Sequence, residues 1–292
     1  MRFYLFLFFA LTLSPLATAE LAVPSSDCQC EDSGLDLLEG PNKFNFGAFT
    51  GQCVDTCRYR KSIPLAPLKK NTDSVRLSNY LHEGKYWVAQ VPKDGLKNVQ
   101  VAFEEFMPGI FHVFLIFEFV DKNSVYLTPQ VGERAGQTVK ISNLVISPEG
   151  IPPKAGKYNL VDAYMERYPI GIRTMSRQQV ILWSVEKLKH KVEVFDLKLS
   201  SVQANALLNS ALESLTSKSF KVRYGLLSNN CATSVLDYID AVIKPEAERF
   251  PLYYSWLYPL ERALSIAGPF GTRKILLSRN LIETKSGRSL KN

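Results

Sequence analysis

The chain has 292 residues, with 35 Lys and Arg against 28 Asp and Glu, a formal charge of +7 and a sequence pI near 9.0; 46% of its residues are hydrophobic. That is enough apolar material for one well-filled core, which excludes a disordered chain. The basic balance either suits an anionic partner such as phospholipid headgroups or cell-wall polymer or serves no specific partner, and the chain lacks the basic, aromatic-interleaved pattern of a nucleic-acid binder.

At the start, Met1-Arg2, the apolar run Phe3 to Leu13 and the small residues Ala17-Thr18-Ala19 read as a cleaved secretory signal over residues 1–19. The alternative is an uncleaved anchor, but the apolar stretch is shorter than the ~20 residues a spanning helix needs. Export frames the cysteines. Cys28, Cys30, Cys53 and Cys57 form a compact set, and an oxidising compartment makes two disulfides the first expectation. A bridge within Cys28-Gln29-Cys30 is strained, which favours cross-pairing to Cys53 and Cys57. A four-thiolate zinc site is the rival reading; otherwise no metal or cofactor is expected. Residues 20–70 thus read as a disulfide-stapled lead that ends in a proline-bearing connector, Lys61 to Lys70.

Residues 71–292 read as the catalytic domain, with its core at about 100–245. Runs at 86–91, 99–103, 110–120, 124–128, 139–142, 180–185 and 192–197 are rich in β-branched and aromatic residues and predict strands. The pattern then turns helical. Ser200 or Ser201 caps a segment in which Ala204, Leu207, Leu208, Ala211, Leu212 and Leu215 share a face. A second helix carries Val235, Leu236, Ile239, Val242 and Ile243, with Asn229 or Asn230 as its cap and Pro245 as its stop. Strands first and helices later imply an α+β fold, helices packed on a largely antiparallel sheet. Thr272 to Asn292 reads as a basic, weakly patterned tail.

Cys231 opens that second helix in Ser228-Asn229-Asn230-Cys231-Ala232-Thr233. A thiol there lies among unpartnered backbone N–H groups at the positive end of the macrodipole, which favours a reactive thiolate and supplies oxyanion donors. The competing reading is an ordinary buried small hydrophobe. Cysteine arithmetic favours the former, because pairing the other four leaves Cys231 over. A nucleophilic thiol needs a base, and there are three histidines. His190 lies in the charged turn Lys187-Leu-Lys-His-Lys191 and reads as solvated; His82, in Leu81-His-Glu-Gly84, reads as a turn residue. His112 begins the apolar strand Phe111 to Phe119, so it is either a hydrogen-bonded core histidine or the base. Glu118 shares its face but is ~20 Å away along the strand. Gln130 and Glu133, after the Tyr126 strand, are therefore the candidate supporting residues, with solvated loop residues as the alternative.

Phe111-His112-Val-Phe-Leu-Ile-Phe-Glu-Phe, Arg173 in Pro169-Ile-Gly-Ile-Arg and Tyr224-Gly-Leu-Leu-Ser-Asn-Asn-Cys231-Ala-Thr together resemble, over residues 100–245, the bacterial domain-of-unknown-function family 4105. That family includes lipoprotein N-acyltransferases and is similar to a circularly permuted papain-like or NlpC-type thiol enzyme. The resemblance implies Cys231 as nucleophile, His112 as base and Asn230 as a residue that shapes the turn or assists the oxyanion site; an acidic family position falls on Gln130. It implies an exported acyltransferase moving an acyl chain from a phospholipid to the amine of a lipoprotein at a membrane surface. The aromatic run Phe250 to Tyr258 would then be an interfacial surface or plain core. A cell-wall amidase or peptidase with the same Cys–His pair, and a non-enzymatic envelope protein, are the alternatives.

Overall fold

The computed structural model describes residues 28, 43–45, 47–66, 73–130, 137–226, 228–247, 269–284 and 287–291. Residues 1–19, Cys30, Glu133 and Phe250 to Tyr258 lie outside them. In chain order the strands and helices are β1 (Ile63–Leu65), β2 (Ser74–His82), β3 (Lys85–Pro92), β4 (Leu96–Met107), β5 (Ile110–Phe119), β6 (Val125–Pro129), β7 (Val139–Ile141), β8 (Asn143–Gly150), α1 (Leu160–Tyr164), β9 (Tyr168–Met175), α2 (Arg177–Val180), β10 (Lys191–Asp196), α3 (Ser201–Ser217), β11 (Arg223–Tyr224), α4 (Cys231–Ala247), α5 (Pro269–Ser278) and β12 (Arg288–Ser289).

The strands join one open sheet in the order β12-β10-β4-β5-β8-β9-β2-β3-β6-β7, with β1 on β2 and β11 on β9. Every pairing is antiparallel except the single parallel bridge of β2 to β9, at Leu81 and Met175. The fold is therefore the expected α+β, a largely antiparallel sheet with helices on it. β5 lies inside this sheet and is covered on both faces, which is why it reads as a continuous apolar run rather than an alternating one. Val113, Leu115, Phe117 and Phe119 meet α3, α4 and α5 in the larger core, whereas Phe114 and Ile116 meet Val180, Ile181, Val192 and Val194 on the other face.

All six apolar residues expected to share one face of α3 are buried, and Ser200 caps it in a reciprocal box with Gln203. In α4, Val235, Leu236 and Ile239 are buried as their spacing required, but the helix continues past Pro245 to Ala247. Three further expectations are corrected. Residues 180–185 are helical rather than extended: Ser176 caps α2, which runs on as a π-helix over Ile181–Lys187, so local capping overrides β propensity. Residues 272–284 and 287–291 are part of the body, since α5 buries Ile275 and Leu276 in the core and β12 pairs with β10. His82 is buried and bonded through Nδ1 to Ser176 Oγ at 2.8 Å, and His190 is paired through Nδ1 with Glu104 at 2.6 Å, so neither is the solvated or turn residue its neighbours indicated.

The lead is stapled by a Cys28–Cys53 disulfide, and Cys57 is also disulfide-bonded, which overturns the zinc alternative. It packs onto the body through Phe44 and Val54 against Ile151 and Phe220. No helix among the described residues is long and apolar enough to cross a membrane.

Candidate active site

The site forms where β5 and β8 part. Their ladder runs from Glu118–Asn143 to Leu115–Ile146 and stops. Continued in register, the next pairing on that side would set Val113 opposite Pro148. The N–H of Ile151 bonds to Pro169 on the β9 side, so by alternation position 148 would donate toward β5, and proline has nothing to donate. The strands splay there, and the N–H of Val113 is given instead to the sulfur of Cys231.

Cys231 is held at that split by its helix start. Asn230 is the cap: its Oδ1 accepts from the N–H of Thr233 at 2.8 Å, its own N–H donates to Thr233 Oγ1 at 2.8 Å, and its Nδ2 donates to the carbonyl of Leu226 at 2.7 Å. Both polar atoms of the Asn230 amide are thereby committed to the turn. The N–H groups of Cys231 and Ala232 belong to the first turn, where a helix offers no acceptor.

The imidazole of His112 hydrogen-bonds the Cys231 sulfur. Its Nε2 lies 2.7 Å from Ser147 Oγ, and Ser147 donates its hydroxyl proton to Glu149 Oε1 at 2.9 Å. With that proton spent, Nε2 must be the donor to Ser147, which leaves Nδ1 for the sulfur. Glu149 in turn pairs through Oε2 with Arg173 at 2.9 Å. The line Cys231–His112–Ser147–Glu149–Arg173 thus has the nucleophile, base and orienting-group logic of a thiol enzyme, with a hydroxyl between base and carboxylate. Glu104, facing His112 from β4, adds a second carboxylate and is itself tied to His190.

A family model described as the Lnb N-terminal periplasmic domain matches residues 87–278, about two thirds of the chain. The chain belongs to the Lnb N-terminal periplasmic domain family. It is accordingly an exported, periplasmic protein, as its first residues led one to expect. No curated protein and no solved structure matched the chain. The stretch shared with the Lnb family contains every member of the line from Cys231 to Arg173, whereas Tyr59, whose ring lies 5.3 Å from the Arg173 guanidinium, comes from the lead that precedes it.

Electrostatics sharpen the geometry. Burial acts to lower His112, but the Cys231 sulfur, through charge and hydrogen bond, and the carboxylates of Glu149 and Glu104 outweigh it and raise the imidazole to about 9. Burial acts to raise Cys231, and the His112 charge and hydrogen bond, the Val113 N–H and the Tyr224 hydroxyl outweigh it, so the thiol lies below its usual value. Each member of the pair favours the charged form of the other, which polarises it toward thiolate and imidazolium. Burial tends to raise Glu149, and Arg173, His112 and Ser147 hold it lower.

Tyr224 donates toward the sulfur at 3.9 Å and is itself hydrogen-bonded to Tyr158, whose phenol is raised to about 12 by burial. Gly150 makes room for both rings, since a Cβ there would lie 2.9 Å from Tyr224 and 3.1 Å from Tyr158.

The structure brings Cys231, His112 and Asn230 together. Gln130 lies elsewhere: on the sheet, β8, β9, β2 and β3 intervene between β5 and the strand that precedes it. Its side chain accepts from the N–H of Asn79 and donates to Asn79 Oδ1, both at 2.7 Å, holding a β2 bulge where Asn79 has φ 58°. The hydrogen-bond chain behind His112 therefore runs to Ser147 and Glu149 and not to Gln130. Sequence reasoning missed Ser147, Glu149, Tyr158 and the role of Arg173. The signal was present in the two-residue spacing of Ser147 and Glu149, which puts both on one face of a strand.

Proposed function

We propose that the protein is an exported thiol acyltransferase that takes an acyl chain from a phospholipid and passes it to the N-terminal amine of a lipoprotein. The observation that carries this is the polarised Cys231–His112 pair at a helix start, with a backbone N–H on the sulfur. The thiolate attacks the ester carbonyl, forming a C–S bond while first-turn N–H groups of α4 receive the oxyanion. The C–O bond breaks, and His112 gives its proton to the departing lysophospholipid oxygen. The acceptor amine then attacks the thioester, His112 takes the amine proton, and the thiolate leaves. Ser147 and Glu149 keep the ring turned toward the sulfur throughout. The order of the site, a histidine strand before a cysteine helix, supports kinship with the permuted papain-like enzymes and with family 4105.

The test is intact-mass spectrometry of the mature protein after incubation with phospholipid vesicles. A fatty-acyl increment that hydroxylamine removes, and that Cys231→Ala lacks, is expected. No increment, together with release of peptides from purified peptidoglycan, would replace the acyltransferase with a cell-wall hydrolase.

A further inference from the structure

One end of the sheet collects most of the large hydrophobic side chains that are exposed among the described residues. Register sets Lys191 beside Glu105 and Glu105 beside Phe111, and on the other side Gly150 beside Ile170. The β4–β5 hairpin tip, the turn before β10 and the β8–β9 segment bearing α1 therefore all leave the sheet at the end where Cys231 sits. Of the seven large hydrophobic side chains exposed among the described residues, five are here: Met107, Leu188, Val161, Tyr164 and Met165. An exposed Tyr among aliphatic tips is the composition of a half-wet boundary.

Charge complements it. Lys154, Lys157, Lys187 and Lys189 are exposed around these tips, Lys187 with its ammonium 4.2 Å from the Trp183 ring; against these four stands the exposed Glu186 ahead of β10, while the carboxylates of Asp162 and Glu166 are engaged by Arg167 and Ser228. The patch is also joined to the site. The carbonyl of Ala163 in α1 accepts the N–H of Leu226, and Glu166 accepts from Ser228 at 2.7 Å, so α1 rides on the loop that ends at Cys231.

We infer that this end of the sheet is a membrane-docking face: Val161, Tyr164 and Met165, with Met107 and Leu188, enter the headgroup region of an anionic phospholipid bilayer, and the lysines around them bind its phosphates. The face deepens the acyltransferase reading by naming how its lipid is reached, and it rests on that reading only for its purpose. Apolar tips supply the burial and lysines the attraction to anionic lipid.

The experiment is co-sedimentation of the full mature chain with phosphatidylethanolamine–phosphatidylglycerol vesicles and with phosphatidylcholine vesicles. Wild type and Cys231→Ala should bind the anionic vesicles alike, with binding weakened by salt. Val161→Glu with Met165→Glu should bind about ten-fold more weakly while Cys231 alkylates at the wild-type rate, which shows the fold intact. Lys157→Glu with Lys189→Glu should lose the preference for anionic lipid. Wild-type binding by both double variants, or no binding by wild type, overturns the proposal. Binding without a thioester would leave the face standing and remove the acyl-transfer chemistry; a thioester without binding would do the reverse.

Discussion

Glu149→Gln tests the support behind the His112 imidazole. The carboxylate oxygen lies no more than about 6 Å from His112 Nε2, given bonds of 2.7 and 2.9 Å through Ser147. At an effective dielectric of about 20 that separation corresponds to about 2–3 kcal/mol, or up to about two pKa units on the imidazolium. His112 should accordingly fall from about 9 by roughly one to two units, partial exposure of the site trimming the upper figure. The thiol of Cys231 should rise in step, because it loses imidazolium. The sign for stability follows. A raised His112 stabilises fully below its unfolded value of 6.5 and loses that contribution as pH climbs through about 9. A lowered Cys231 stabilises above 9.0 and loses it as pH falls through its depressed value. The pair is therefore strongest between those limits, and Glu149→Gln narrows the window from both sides. The assay is the rate of Cys231 alkylation by iodoacetamide against pH, with urea unfolding at the same pH values. Breaking the Glu149–Arg173 pair, whose side chains are 18% and 13% exposed, should also cost about 3 kcal/mol. An alkylation profile that does not move while stability drops would refute an electrostatic role and leave Glu149 as a scaffold residue.

Gly150→Ala should push against Tyr224 and Tyr158, costing about 1–3 kcal/mol of stability and slowing alkylation of Cys231 several-fold; an unchanged rate would mean the Tyr224 hydroxyl does nothing for the thiolate. Asn230→Ala removes the cap of α4 and the bond to Leu226, and should lower unfolding free energy by about 1–2 kcal/mol in urea titrations while blunting thiol reactivity.

Cys231 and His112 were legible because each breaks a local pattern: a thiol at the polar start of an apolar helix, and an imidazole in a strand otherwise too apolar to hold one. α3 was legible because its buried face repeats at helical spacing. The relay behind His112 was not, because it runs across strands that are adjacent only in space. β8 itself was hidden by Pro148, which demotes a strand in sequence yet is accommodated here on the side where β8 has no partner. Asn229 and Asn230 were equally legible as the cap; two reciprocal bonds of Asn230 to Thr233 and one to Leu226 decide between them, and no pattern in one sequence carries that. The π-helix over Ile181–Lys187 shows the converse failure, a β-rich composition committed to a helix by the cap at Ser176.

The N–H that Val113 gives to the sulfur belongs to the main chain, and its availability comes from a strand that has lost its neighbour. Side-chain drift at position 113 would repack the core and leave this donor in place; among the twenty residues only proline would delete it. The charge of the Cys231 sulfur is thus tied to the register of a sheet rather than to a replaceable functional group. Substitutions that move β5 against β8 by one residue would change the chemistry of Cys231 without touching any atom of it.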